Sequence, residues 1–141
     1  MSAEFFLDTN LFVYSFDERF PDKQERSQDL IATALETRRG VISWQVVQEF
    51  INVARHKFEA PLSLDELNEY IDRVLEPLCV VHSSASLYRK ALGVQLETQY
   101  RFYDSLIVAA ALEAGCQQLY SEDLQSGRSI NSLQVVDPYA A

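Results

Sequence analysis

The sequence predicts an α/β protein in three layers: a central, mostly parallel sheet of about five short strands, flanked by helices. Three observations carry that reading. Short apolar runs bounded by turn formers alternate with longer segments of helical spacing along the whole chain. The runs are apolar at successive residues, as in strands buried on both faces. The four glycines and four prolines fall where helices would end, and no linker, repeat or low-complexity tract interrupts the pattern. A length of 141 residues matches a single domain over 1–141, on a soft prior of about 150 residues per domain.

Phe5-Phe6-Leu7 is the first strand, halted by the turn and cap formers Asp8-Thr9-Asn10. A short helix is expected over Leu11 to Phe16. Pro21 to Arg39 carries Leu30, Ile31, Ala34 and Leu35 at helical spacing, with Pro21 suited to the start and Gly40 to the position just past the end. Val41-Ile42-Ser43 reads as the second strand. Trp44 to Lys57 follows as a helix with Val46, Val47, Phe50, Ile51 and Ala54 on one face. In Ser63-Leu64-Asp65-Glu66, Ser63 and Glu66 can each satisfy an orphan backbone amide, so a capping box opens a helix through Leu75 that Pro77 is expected to stop. Cys79-Val80-Val81 is the third strand, and a helix runs from about Ser84 to Thr98. Tyr103 to Ala114 is the most apolar helix, with Gly115 just beyond it. Gln118 to Ser121 and Leu133 to Val136 complete the sheet. In open sheets of this kind crossovers are right-handed and sites gather at the carboxyl ends of the strands.

Lys and Arg number 12 against 21 Asp and Glu, a net charge of −9. That balance excludes a protein gripping nucleic acid through a broad basic face, since such binding runs on phosphate neutralisation. Nucleic acid approached through bound cations remains open. Cys79 and Cys116 are too few for a disulfide scaffold and have no metal-type spacing, which fits buried thiols in a reducing compartment. The start, Met-Ser-Ala-Glu, lacks an export signal, and no apolar stretch approaches the roughly 20 residues of a membrane span. A cytoplasmic protein without a membrane partner is expected. His56 and His82 have no evident metal partner.

Four acids stand out by position. Asp8 and Asp123 follow the first and fourth strands and should project from one edge of the sheet. Glu49 lies in the helix leaving the second strand. At about 100° per residue it borders the apolar face. Asp104 is the lone charge in the first turn of the most apolar helix. Each has a local alternative: Asp8 as an N-cap, Asp104 complementing a helix dipole, Asp123 as a turn former, Glu49 as a solvated flank. If the four converge, repulsion of about 4 kcal/mol per pair at 4 Å and an effective dielectric near 20 is large against a stability of roughly 5–15 kcal/mol. Some acids then take up protons, or divalent cations sit among them. Hard oxygen donors without His or Cys favour Mg²⁺ or Mn²⁺ over Zn²⁺, and such ions suit phosphoryl chemistry.

Phe6-Leu7-Asp8-Thr9-Asn10-Leu11, Val46-Val47-Gln48-Glu49-Phe50, Tyr103-Asp104-Ser105-Leu106-Ile107-Val108-Ala109-Ala110-Ala111 and Tyr120-Ser121-Glu122-Asp123-Leu124 resemble, in order and over nearly the whole chain, the motifs of PIN-domain ribonucleases. The likeness is strongest to the VapC-type toxins of toxin–antitoxin pairs. The resemblance implies a PIN-like fold, a metal-dependent endoribonuclease acting on RNA by metal-activated water, a homodimer and a small antitoxin partner. It implies Asp8 and Asp104 as the main Mg²⁺ ligands, with Mn²⁺ able to substitute. Glu49 and Asp123 complete the acidic quartet, and Asn10 and Ser121 stand at polar positions that support the acids. Asn and Ser equally serve as plain turn formers there.

Arg55 and Lys57 share the helix of Glu49 and are the candidate RNA contacts among basic residues that otherwise read as solvated faces. An acidic groove also suits a basic peptide, so an antitoxin Arg inserted among the carboxylates would compete with metal. The aromatics Phe12, Tyr14, Phe16 and Phe20 serve either core or interface. A Rossmann dehydrogenase is excluded by the absence of a glycine-rich turn after the first strand. A haloacid-dehalogenase pattern fails because Asn10 stands where a second Asp is required. The alternatives are a receiver-like Mg²⁺-binding signalling domain, which lacks its lysine because Asp137-Pro138 follows Val136, and a non-catalytic PIN-fold binding module.

Overall fold

The computed structural model describes residues 3–140. Its strands are β1 (Phe5–Leu7), β2 (Gly40–Ser43), β3 (Cys79–Val81), β4 (Gln118–Tyr120), β5 (Ser129–Ile130) and β6 (Leu133–Val136). They form one sheet in the order β3-β2-β1-β4-β6-β5, parallel throughout except for β5 against β6. Phe6 and Leu7 of β1 are fully buried, as the continuous apolar run requires of a central strand. β5 is the strand the sequence did not predict. Two residues are too few to show a period. The strand exists because Asn131, at φ 54°, helps turn the chain between the paired residues Ile130 and Leu133.

The helices are α1 (Thr9–Tyr14), α2 (Pro21–Thr37), α3 (Trp44–His56), α4 (Leu64–Tyr70), α5 (Glu76–Leu78), α6 (Ala85–Thr98) and α7 (Phe102–Glu113). α1 packs on α2 and α3, and α6 on α7, giving the two outer layers. Ser105 to Ala111 of α7 are all buried, which accounts for a helix apolar on every side. The Ser63–Glu66 capping box opens α4 as expected. No helix among the described residues is long and apolar enough to cross a membrane.

Three local expectations are corrected. α1 begins at Thr9, two residues early, because Asp8 caps it. Pro77 does not stop the helix before it. The chain widens into a π-helical turn over Ile71–Leu75, and the helix runs on through Pro77 to the end of α5 at Leu78. Gly40 does not close α2, which ends on Arg38 in the left-handed region at φ 60°.

Gly40 instead lies within β2, in a gap too small for a side chain. A Cβ there would fall 2.4 Å from Ala34 Cβ and 2.4 Å from Phe5 Cε2. Gly40→Ala is therefore expected to cost about 1–3 kcal/mol, the scale of overpacking a tight core, read as a lower denaturation midpoint with an unchanged slope. An unaltered midpoint would show that the β2–α2 contact is loose.

From β1 the chain crosses to β2 on one side, and β4 later pairs with β1 on the other. The strand order therefore reverses between β1 and β4, and the crevice outside their carboxyl ends is where open α/β sheets bind ligands. The amide of Asp8 donates to Tyr120 O at 3.0 Å, so pairing with β4 continues one residue beyond β1.

Candidate functional site

All four acids reach this crevice or its rim. Asp8 is buried at its floor: its Oδ1 accepts from the Thr9 amide at 2.7 Å, and its Oδ2 from Ser121 Oγ at 2.8 Å. The N-cap role and the site position, alternatives in the sequence, are thus filled by the same carboxylate. Thr9 Oγ1 donates to Glu49 Oε1 at 2.6 Å, tying the half-buried Glu49 of α3 to the residue after Asp8. Asn10 Nδ2 donates to Asp123 Oδ2 at 2.7 Å, drawing the exposed Asp123 towards α1. Asp104 lies half-buried in the first turn of α7.

The charges of these groups act on one another. Burial pushes the Asp8 carboxyl up to about 6. The Ser121 hydroxyl and Thr9 amide partly oppose the rise, and the charges of Asp123 and Glu49 add to it. Asp104 is raised by burial and then by Asp123, against the pull of Arg101. Asp123 thus faces both Asp8 and Asp104, so residues more than a hundred positions apart form one anionic cluster. No Lys, Arg or His among the described residues pairs directly with any of the four.

Asn10 and Ser121, plain turn formers in the alternative reading, each hold a carboxylate. Glu122 turns away from the cluster and accepts from Tyr14 OH and Lys23 Nζ. Arg55 lies six residues beyond Glu49, roughly 9 Å along α3, and its Nη1 donates to Leu62 O at 2.9 Å. Lys57 is exposed and lines a groove with Val13, Phe16 and Phe58. Neither basic residue touches the acids. Of the four aromatics, Phe12 joins the core, and Tyr14, Phe16 and Phe20 stack at its margin. Both histidines are exposed, and Cys79 is only half-buried.

Two residues were missed. Thr9 bridges towards Glu49, and its signal was a hydroxyl between two site positions. Gln45 is buried on α3 with its Nε2 towards Glu49 Oε2 at 3.5 Å and Tyr103 O at 3.1 Å. Its signal was the four-residue spacing that puts it one turn before Glu49.

The family model described as PIN domain matches residues 5–126. The chain belongs to the PIN-domain family. Solved structures share the fold of this PIN domain. A chain of a toxin–antitoxin complex from Klebsiella pneumoniae superposes with a TM-score of 0.67 at 19% identity, covering 99% of this chain and 100% of that one. VapBC2 from Rickettsia felis, bound to a DNA fragment from its promoter, gives 0.61 at 17% identity over 93% and 96% of the two chains. VapC20 of Mycobacterium tuberculosis, a toxin that cleaves the sarcin–ricin loop, gives 0.57 at 19% identity over 85% and 90%. No curated protein sequence matches the chain.

The donor set of this PIN domain fits a hard divalent cation. It is all oxygen, anionic and partly buried, and Asp8 is held in a setting that penalises its bare charge. Among the described residues, no three His, Cys, Asp or Glu side chains form a ready-made metal cage.

Proposed function

We propose that this PIN-domain protein is a Mg²⁺-dependent endoribonuclease, hydrolysing RNA phosphodiester bonds with water, and the toxin of a type II toxin–antitoxin pair. The observation that carries the reading is the anionic cluster itself. Asp8, Glu49 and Asp123 are held by neutral donors around the switch point of the sheet, Asp8 raised to about 6 by burial, and Asp104 is raised by burial and the charge of Asp123. Asp8, Asp104, Glu49 and Asp123 are the residues that would hold the cation, with Mn²⁺ an acceptable substitute. When bound, it polarises the scissile phosphate and lowers the pKa of a water. The protein's own part is preorganisation: Ser121 and the Thr9 amide fix Asp8, the Thr9 hydroxyl fixes Glu49, and Asn10 fixes Asp123.

The solved relatives of this fold that belong to toxin–antitoxin complexes support the toxin reading. A net charge of −9 favours an antitoxin that presents a basic side chain to the cluster. For RNA, two Mg²⁺ would still leave a formal charge of −5, so recognition rests on contacts within a Debye length of roughly 8 Å, with Lys57 the freer of the two candidate contacts. A homodimer is part of the same reading.

Incubated with RNA, the purified protein is expected to cleave in the presence of Mg²⁺, to stop in excess chelator, and to resume when Mg²⁺ or Mn²⁺ is restored. Cleavage indifferent to chelator would end the metal-dependent reading. Metal binding without any cleavage would leave a binding module.

A further inference from the structure

Lys23 stands in the first turn of α2, where the helix dipole disfavours a cation. A cage drawn from three parts of the chain retains it there. Its Nζ lies 4.7 Å from the ring centre of Tyr14 on α1, 5.7 Å from that of Phe20 and 5.3 Å from that of Tyr139 beyond β6, all within cation–π range. The rings brace one another. Tyr14 meets Phe20 and Tyr139 edge to face, and Tyr139 OH shares a hydrogen bond with the buried Ser27 Oγ. The ammonium pairs with Glu122 Oε2, and Tyr14 OH donates to Glu122 Oε1 at 2.7 Å, so both oxygens of Glu122 are committed. The two charged side chains are 33% and 26% exposed, and solvent therefore screens the pair less than one on open surface.

Glu122 directly precedes Asp123, in a stretch that has little else to fix it. Among the described residues, 121–128 belong to neither helix nor strand. Side chains hold the turn instead: Ser121 reaches Asp8, Glu122 reaches Lys23 and Tyr14, and Asp123 reaches Asn10. Of these three anchors, only that of Glu122 is an ion pair. Asp123 is exposed, where its bond from a neutral amide competes with water. Consecutive Cα atoms are about 3.8 Å apart, so a shift at Glu122 passes to Asp123 with little slack. We propose that Lys23 and Glu122, with the aromatic cage around the ammonium, are positioning residues that set where the Asp123 carboxylate stands in the acidic cluster. The role needs no bound ion, because it follows from the chain's own contacts. For the reaction it rests on the nuclease reading above, and it adds to that reading a brace built from α1, α2 and Tyr139.

The test is nuclear magnetic resonance of the ¹⁵N-labelled full chain without metal, beside steady-state cleavage of RNA. The Asn10 side-chain amide donates to Asp123 and so reports where that carboxylate is; its signal is assigned by its loss in Asn10→Ser. Lys23→Met keeps an unbranched stem and sets a thioether against the rings while removing the charge. Glu122→Gln breaks the ion pair from the other side and leaves the cage complete, should the Met variant not fold. In both, the Asn10 amide is expected to move towards the position of exposed amides, by more than the backbone amides of α6 in the other outer layer move. The kcat is expected to fall about tenfold or more with KM changed by less than about twofold, since a misplacement of about 1 Å costs up to about 100-fold. A pair that only staples α2 to the sheet would lower the melting temperature and leave the Asn10 signal in place, and that result would overturn the proposal. A displaced Asn10 signal with cleavage at the wild-type rate would overturn its part in the reaction. Absence of cleavage by the wild-type chain, with the Asn10 signal moving as expected in the variants, would overturn the nuclease reading and leave the brace standing.

Discussion

Asp8→Asn is expected to abolish RNA cleavage and, in the metal-free protein at pH 7, to raise the melting temperature. Asn is nearly the shape of Asp and an equally good N-cap, so the bond from the Thr9 amide survives. The negative charge at the floor of the crevice does not. Removing one preorganised electrostatic group from a site of this kind lowers rates by about 10²–10³. The stability gain comes from the same charge. Asp8 is held at about 6 in the folded chain against 3.8 ordinarily, a difference corresponding to about 3 kcal/mol.

The sign follows from proton binding. Between pH 4 and about 6 the folded protein binds more protons at Asp8 than the unfolded chain, so the contribution of Asp8 is fully present below pH 4 and is lost as pH rises through about 6. The variant lacks this titration. Its advantage is therefore expected to be near zero at pH 4, to grow up to pH 6, and to level off above at roughly 5–10 °C. Saturating Mg²⁺ is expected to close most of the gap: a ligand at a hundred times its dissociation constant adds about 2.7 kcal/mol to the protein that binds it. That gain goes to wild type and largely bypasses the variant. Thermal melts at three pH values, with and without Mg²⁺, check every part. A variant no more stable than wild type at pH 7 without metal would mean that the Asp8 charge is well solvated.

The sheet was legible because its strands announce themselves. Phe5-Phe6-Leu7 and Val41-Ile42-Ser43 are short apolar runs between turn formers, and both are central strands. What escaped depends on contacts between distant segments. Gly40 looks like a helix terminator in sequence, yet its reason lies with Phe5 and Ala34, which press on the same spot. Pro77 looks like a stop, and only the widened turn before it lets the helix pass. For the site, no acid was decisive alone; the four were visible as a set because two follow strands, one borders an apolar helix face and one opens an apolar helix. Thr9 and Gln45 were not, since a neutral hydroxyl and an amide beside acids have ordinary uses, and what singles them out is that each donates to Glu49. Glu122 shows the limit from the other side. Adjacent to Asp123 and of like charge, it differs only in facing Lys23 and Tyr14.

Ser121 is the joint between the two ends of the cluster, and Ser121→Ala is expected to damage both fold and activity. Its hydroxyl is fully buried, donates to Asp8 Oδ2 at 2.8 Å, and accepts from the amides of Asp123 and Leu124 at 3.2 and 3.4 Å. Alanine leaves the Leu124 amide without a partner in a buried place and frees the turn that carries Asp123. It also removes a donor that holds Asp8 down, so that carboxyl should rise further. The expected cost is about 2 kcal/mol, since an unsatisfied buried donor costs roughly 1–3, with cleavage about 10–100-fold slower. A double-mutant cycle separates the contributions. Against Asp8→Asn the hydroxyl meets a neutral partner, and hydrogen bonds to charged groups are roughly twice as strong as neutral ones. Ser121→Ala should therefore cost less in that background, with a coupling of about 0.5–3 kcal/mol by chemical denaturation of the four proteins. Additive costs would show that Ser121 serves its own turn alone, and Asp8 and Asp123 would then be neighbours without a mechanical link.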